Sequence, residues 1–203
     1  LDLQYRHVTN HMEGFQGGAN LTVDKNFDFF NPKAGITYNN QGWQAFMSYS
    51  IANKEPNRED FETSPNNQPK PEKLNDFELG LERKQGLFQY GATLYWMQYK
   101  DQLVLTGQIN DVGSYTRTNT PESYRLGLEL QASNRFSKWL QLSGNLNLSK
   151  NKIKSFTEYI DNWDNGLQNT VTHQNTDISF SPAIVGALTA DIQLAKNLEL
   201  SLL

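Results

Sequence analysis

Residues 158–166 read EYIDNWDNG and bring Asp161, Asp164 and two asparagines together just before Gly166. These are oxygen donors of the kind calcium takes. Their spacing does not match an EF-hand loop, so a solvated surface loop is the better reading. The histidines offer no clearer centre. His7, His11 and His173 are the only three in the chain, and His7 and His11 fall across a strand exit rather than on one face of a helix, so no metal site is expected. Two groups of aromatic residues have another use. Phe15, Phe27, Phe29 and Phe30 stand in one polar stretch, and Phe156, Tyr159 and Trp163 in another. Such rings either stack on a ligand held at the mouth of a cavity or pack on one another to hold a loop, and the sequence leaves both open.

The segment KEPNREDF (54–61) carries charge chemistry of a structural kind. Pro56 stops strand pairing, and Asn57, Arg58, Glu59 and Asp60 put polar groups at the exit from strand to loop. An arginine between acids there reads first as a loop-structuring ion pair. Nothing in the chain resembles catalytic machinery. It has no cysteine, no nucleophile elbow, no phosphate loop and no paired-carboxylate signature above its background of acids, so neither an enzyme nor a cofactor is expected.

The elements that must carry these residues are strands. WQAFMSYSIA (43–52) sets Trp43, Ala45, Met47, Tyr49 and Ile51 on one face and Gln44, Phe46, Ser48 and Ser50 on the other. KLNDFELGLE, FQYGATLYWMQY, YRLGLELQA, LQLSGNLNLS and LTADIQLA repeat that period of two, and no segment holds a helical period. With LDLQYRHVT, PKAGITYN and NLELSLL the count is about nine strands. Short links at 39–42, 84–86, 135–138 and 195–197 alternate with long polar stretches at 10–30, 54–73, 100–120 and 151–181. In a meander this puts every tight turn at one end of the sheet and every long loop at the other, as in outer-membrane barrels. The expected fold is therefore all-β, an antiparallel up-and-down meander that is part of a transmembrane β-barrel. On that reading the apolar face meets lipid. Glu78, Glu82, Arg125, Glu129 and Asp191 look into a wet lumen, and Trp43, Tyr49, Tyr99, Tyr124 and Trp139 sit near the interfaces.

Composition agrees. Only 37% of the 203 residues are hydrophobic, yet 12% are aromatic, and mean hydropathy is -0.67; a wet interior inside an apolar outer band has such a balance. No run of about 18 apolar residues exists, which excludes a transmembrane helix. The net charge of -4 and the scatter of Lys and Arg argue against a nucleic-acid partner. The chain opens on LDLQYRHVTN and stops in NLELSLL, both within strand-like alternation, so a piece of a longer protein is expected.

Four stretches carry a family resemblance: FFNPKAGITYN (29–39), SIANKEPNREDF (50–61), KPEKLNDFELGLE (70–82) and YTRTNTPESYRLGLEL (115–130). In order and spacing they resemble the C-terminal part of the barrel of TonB-dependent outer-membrane receptors, most specifically in the pair PNREDF and KPEKLNDFELGLE. The resemblance is closer to receptors for iron chelates, haem or cobalamin, found in Bacteroidetes and other Gram-negative bacteria, than to the glycan-importing branch. It implies that residues 1–203 are about nine strands of a barrel of about 22, with a plugged lumen. The plug, absent from this sequence, would reach TonB, and the whole receptor would sit in outer-membrane lipid of a Gram-negative cell and import a small-molecule chelate. Arg58, Glu59, Glu78, Glu82, Arg125 and Glu129 would then touch the plug or brace the wall. Phe15, Phe27, Phe29, Phe30, Phe156, Tyr159 and Trp163 would meet ligand, and His11 and His173 would be candidates for haem iron. The rival readings are an importer of glycan or peptide on the same fold, and a secreted binding or adhesion module whose apolar face is a dry core.

Overall fold

A computed structural model describes residues 1–14, 22–61, 68–109 and 115–203. Ten strands follow one another: β1 Asp2–Met12, β2 Val23–Asn40, β3 Trp43–Lys54, β4 Glu72–Arg83, β5 Phe88–Ile109, β6 Tyr115–Arg135, β7 Leu140–Asn162, β8 Leu167–Asp177, β9 Ile184–Ala195 and β10 Leu198–Leu202. A short 3₁₀ turn, Arg58–Phe61, lies between β3 and β4. Every pairing is antiparallel. The single sheet runs β1 to β7 in sequence and then to β9 and β10, and it is open, with β1 and β10 as its edges.

Register turns the sequence alternation into two faces. One rung passes unbroken from Ile36 through Met47, Leu79, Leu94, Leu128 and Leu148 to Ile184. The rung beside it carries Thr37, Phe46, Gly80, Thr93, Glu129, Asn147 and Val185. A one-residue slip anywhere would exchange these faces, so the match across so many strands pins the register. The apolar side chains are not buried by this chain: Ile36 is 67% exposed and Ile184 68%. On the opposite face two glycines make room for aromatic rings lying across the neighbouring strand. A Cβ on Gly80 would come within 2.1 Å of Phe46, and one on Gly127 within 2.3 Å of Tyr95. The Tyr95 hydroxyl reaches over to donate to Asn147 Oδ1 at 3.2 Å.

Strand length divides the molecule along its height. β3, β4 and β9 have 12 residues each, close to the ~9–11 needed to cross hydrocarbon at a tilt. β5, β6 and β7 run to 22, 21 and 23. The extra length lies at the end away from the tight turns, and there the outward rungs change character. Above Trp96 and Leu126 comes Lys100 beside Glu122, which takes an ion pair from Lys154. This corrects the long-loop boundaries. Strand pairing occupies much of 10–30, 100–120 and 151–181, and 151–177 is a hairpin of β7 and β8 closed at 163–166. β8 and β9 lie end to end along the same edge of β7, so ten strands fill nine positions in the wall. Among the described residues no helix is long and apolar enough to cross a membrane.

Candidate ligand-facing wall and mouth

The inward face near the top of β1 and β2 gathers aromatic and cationic groups. Phe27 and Phe29, two residues apart on β2, stack with centroids 5.8 Å apart and planes 7° from parallel. The Arg6 guanidinium lies 5.0 Å from the centre of the Phe29 ring and donates to both Glu55 carboxylate oxygens, at 3.1 and 2.5 Å. It also donates to the Asn53 carbonyl at 3.1 Å. Partial burial pushes the Glu55 carboxyl up, but its backbone hydrogen bond and the charge and hydrogen bonds of Arg6 together leave it below the ordinary carboxylate range.

The segment after β3 folds down onto this cluster. Phe61 is fully buried and packs with Val23, Met12 and Phe27. Next to it Asp60, 2% exposed, receives a two-pronged bond from Arg117 on β6 at 2.7 and 2.9 Å and caps the backbone N–H of Asn57 at 2.7 Å. An ion pair therefore anchors KEPNREDF to the wall, but it joins Asp60 to Arg117, distant in sequence, and is a different pairing from the one expected of Arg58.

Lower on the same face are the charged wall residues. Glu78 accepts from Ser48 at 3.3 Å, and Glu82 accepts from Gln131 at 3.2 Å and pairs with Lys84 at 2.6 Å. Arg125 donates to Ser181 Oγ at 2.8 Å. Glu129 shares a rung with Thr93 and Asn147. All four stand on the polar side of the register, as alternation had placed them.

The remaining residues singled out for ligand contact are split by that register. Phe27 and Phe29 face inward, whereas Phe30 shares its outward rung with Tyr5. His11 is outward on β1, 3.4 Å from Glu13. Phe156 and His173 are cross-strand partners on the outward side of the β7–β8 hairpin, with ring centroids 6.4 Å apart and His173 2.8 Å from Glu158. Tyr159 has the opposite parity, and Trp163, 89% exposed, is at the hairpin turn. Glu59 lies in the 3₁₀ turn beside Arg58, and Phe15 falls outside the described residues. The acid-rich stretch ties strands together: Asp161 accepts from Tyr115 and from Gln168, each at 2.8 Å. Those hydrogen bonds hold its carboxyl below the ordinary range and push the Tyr115 hydroxyl above its own. Among the described residues no group of three or more His, Cys, Asp or Glu side chains is placed to hold a metal ion. The contacts that sequence reasoning missed, Arg6 with Glu55 and Arg117 with Asp60, join residues about fifty positions apart that only the sheet brings together.

Residues 1–192 match the family described as TonB dependent receptor-like, beta-barrel, and the chain belongs to it. Members are outer-membrane receptors of Gram-negative bacteria, not enzymes. No curated protein matches the sequence. Among solved structures the chain is similar to the siderophore receptor PiuA from Acinetobacter baumannii, at 16% identity and a TM-score of 0.73, covering 98% of this chain and 29% of that one. It is similar to the ferric-catecholate import receptor Fiu from E. coli K12, at 17% identity and a TM-score of 0.61, covering 90% and 25%. A third likeness is to the copper transporter OprC, at 18% identity and a TM-score of 0.60, covering 98% and 37%. At these identities the likeness is one of fold, and the chain spans only about a quarter to a third of such receptors.

Proposed function

We propose that this chain is part of the wall of an outer-membrane receptor that imports a scarce ligand, a ferric chelate (siderophore or haem) or cobalamin, with energy supplied through TonB. The whole receptor would carry an N-terminal plug in its lumen and take its ligand at the end where β5, β6 and β7 rise above the apolar band. What bears on the cargo class is the fold, since Arg6 is already held by Glu55 and Phe29 is 5% exposed, so that neither offers a free ligand surface at the mouth. Siderophore and iron receptors among the structural neighbours support the same class.

The test is uptake of radiolabelled ferric chelates by cells that carry the full-length protein and lack other iron receptors. The proposal expects uptake of at least one chelate that depends on the proton-motive force and is lost when TonB is absent. Uptake of none, with copper or oligosaccharide carried instead, would refute the cargo while leaving the transport class intact.

A further inference from the structure

Between β8 and β9 the wall strand is interrupted at residues 178–183, sequence ISFSPA. The excursion is fixed at its base. Ile178 is buried and its N–H donates to the Asn151 carbonyl at 3.1 Å, while the Ser149 N–H donates to the Ala183 carbonyl at 2.7 Å. Arg125 grips Ser181 Oγ, and the buried Asn151 side chain donates to the Ser181 carbonyl at 3.3 Å. At the tip Phe180 holds a left-handed backbone, φ 57°, and its side chain is 101% exposed. It is on the inward side: with Pro182 it borders a recess of about 290 Å³ whose other walls include Glu78, Tyr95, Arg125 and Glu129.

A phenylalanine held in a strained conformation and presented bare to a wet lumen is costly on both counts, and such strain persists where the surroundings over-determine it. Five hydrogen bonds to the wall, the fifth from the Ser149 hydroxyl to the Pro182 carbonyl at 3.3 Å, supply that determination. They aim the ring at whatever occupies the lumen. A passing ligand would leave it wet for most of the receptor's life, whereas a resident domain would cover it continuously. We propose that residues 178–183 form a finger that docks on the N-terminal plug, with Phe180 seated in an apolar pocket of that domain and Arg125 as its brace. This rests on the reading of the whole protein as a plugged receptor. It adds a specific contact, made by a part of the wall that is not a regular strand.

The experiment replaces Phe180 by the photoreactive analogue p-benzoylphenylalanine in the full-length protein in native membranes, followed by irradiation and peptide mapping. The finger predicts an intramolecular adduct with residues of the N-terminal plug. In parallel, Phe180→Ala is expected to speed proteolytic release of the plug several-fold while the heat-modifiable migration of the barrel is unchanged. An adduct to lipid would overturn the inward placement and the finger with it, and a full-length protein without an N-terminal plug would overturn the reading on which the finger rests. An adduct to supplied chelate, or no adduct and no change in proteolysis in a receptor that still transports, would overturn the finger alone.

Discussion

Leu94 is the residue whose surroundings differ most between a barrel wall and a soluble sheet. It sits at the middle of an apolar rung between Leu79 and Leu128, six residues from the start of β5, and is 43% exposed in this chain alone. If lipid covers that rung, Leu94→Arg places a charge near the bilayer midplane at a cost of ~2–4 kcal/mol. That is a shift of about 30- to 900-fold in the folding equilibrium, at about 1.4 kcal/mol per tenfold. Thr93, one position away, faces Glu129 on the inner side. Thr93→Arg brings a cation to a carboxylate in a wet lumen and should change stability by less than about 0.5 kcal/mol. The measurement is urea-dependent folding of the full-length protein into lipid vesicles, read as the fraction that migrates as the compact, unheated form. A large loss at 94 with little at 93 is expected. Equal losses at the two positions would refute the assignment of faces, and a larger loss at 93 would mean that the polar side is the packed one.

Three further outcomes follow from named contacts. Asp60→Asn removes the charge that Arg117 holds, one partner almost buried and the other partly so; limited proteolysis should show residues 55–61 opening by about 1–3 kcal/mol, with Arg117→Lys milder because it keeps one of two prongs. Gly127→Ala puts a methyl group where the Tyr95 ring lies and should cost about 1–3 kcal/mol by chemical denaturation, whereas Tyr95→Ala combined with it should recover part of the loss. Asp161 has a lowered folded pKa, so its contribution is present above the ordinary carboxylate value near 3.9 and is lost as pH falls through the folded value. Tyr115→Phe removes one cause of the shift, and a carboxyl titration followed by NMR should move upward; an unchanged titration would mean that the hairpin tie does not form.

The sequence was most readable where one face is apolar and the other polar. There period two is forced, and it showed the strands, the tight-turn end and the inward position of Glu78, Glu82, Arg125 and Glu129. Above the apolar band both faces are polar, so the alternation fades even though pairing continues. That is why LQNTVTHQNTD read as loop and yet forms β8. The finger was unreadable for the opposite reason: FSP carries turn residues, and nothing local says that the strand resumes in the same lane at Ile184. For the mouth, composition located the phenylalanines but not their sides. Phe29 and Phe30 are neighbours in sequence, and only register separates the ring beside Arg6 from the ring beside Tyr5.

The most direct test is to follow the full-length protein in fractionated cells of its source, with heated and unheated samples, in iron-replete and iron-starved growth. The account predicts an outer-membrane band, far larger than the 23.2 kDa of this chain, whose mobility changes on heating and whose amount rises on iron starvation. A soluble band near 23.2 kDa that is indifferent to heat and iron would contradict it.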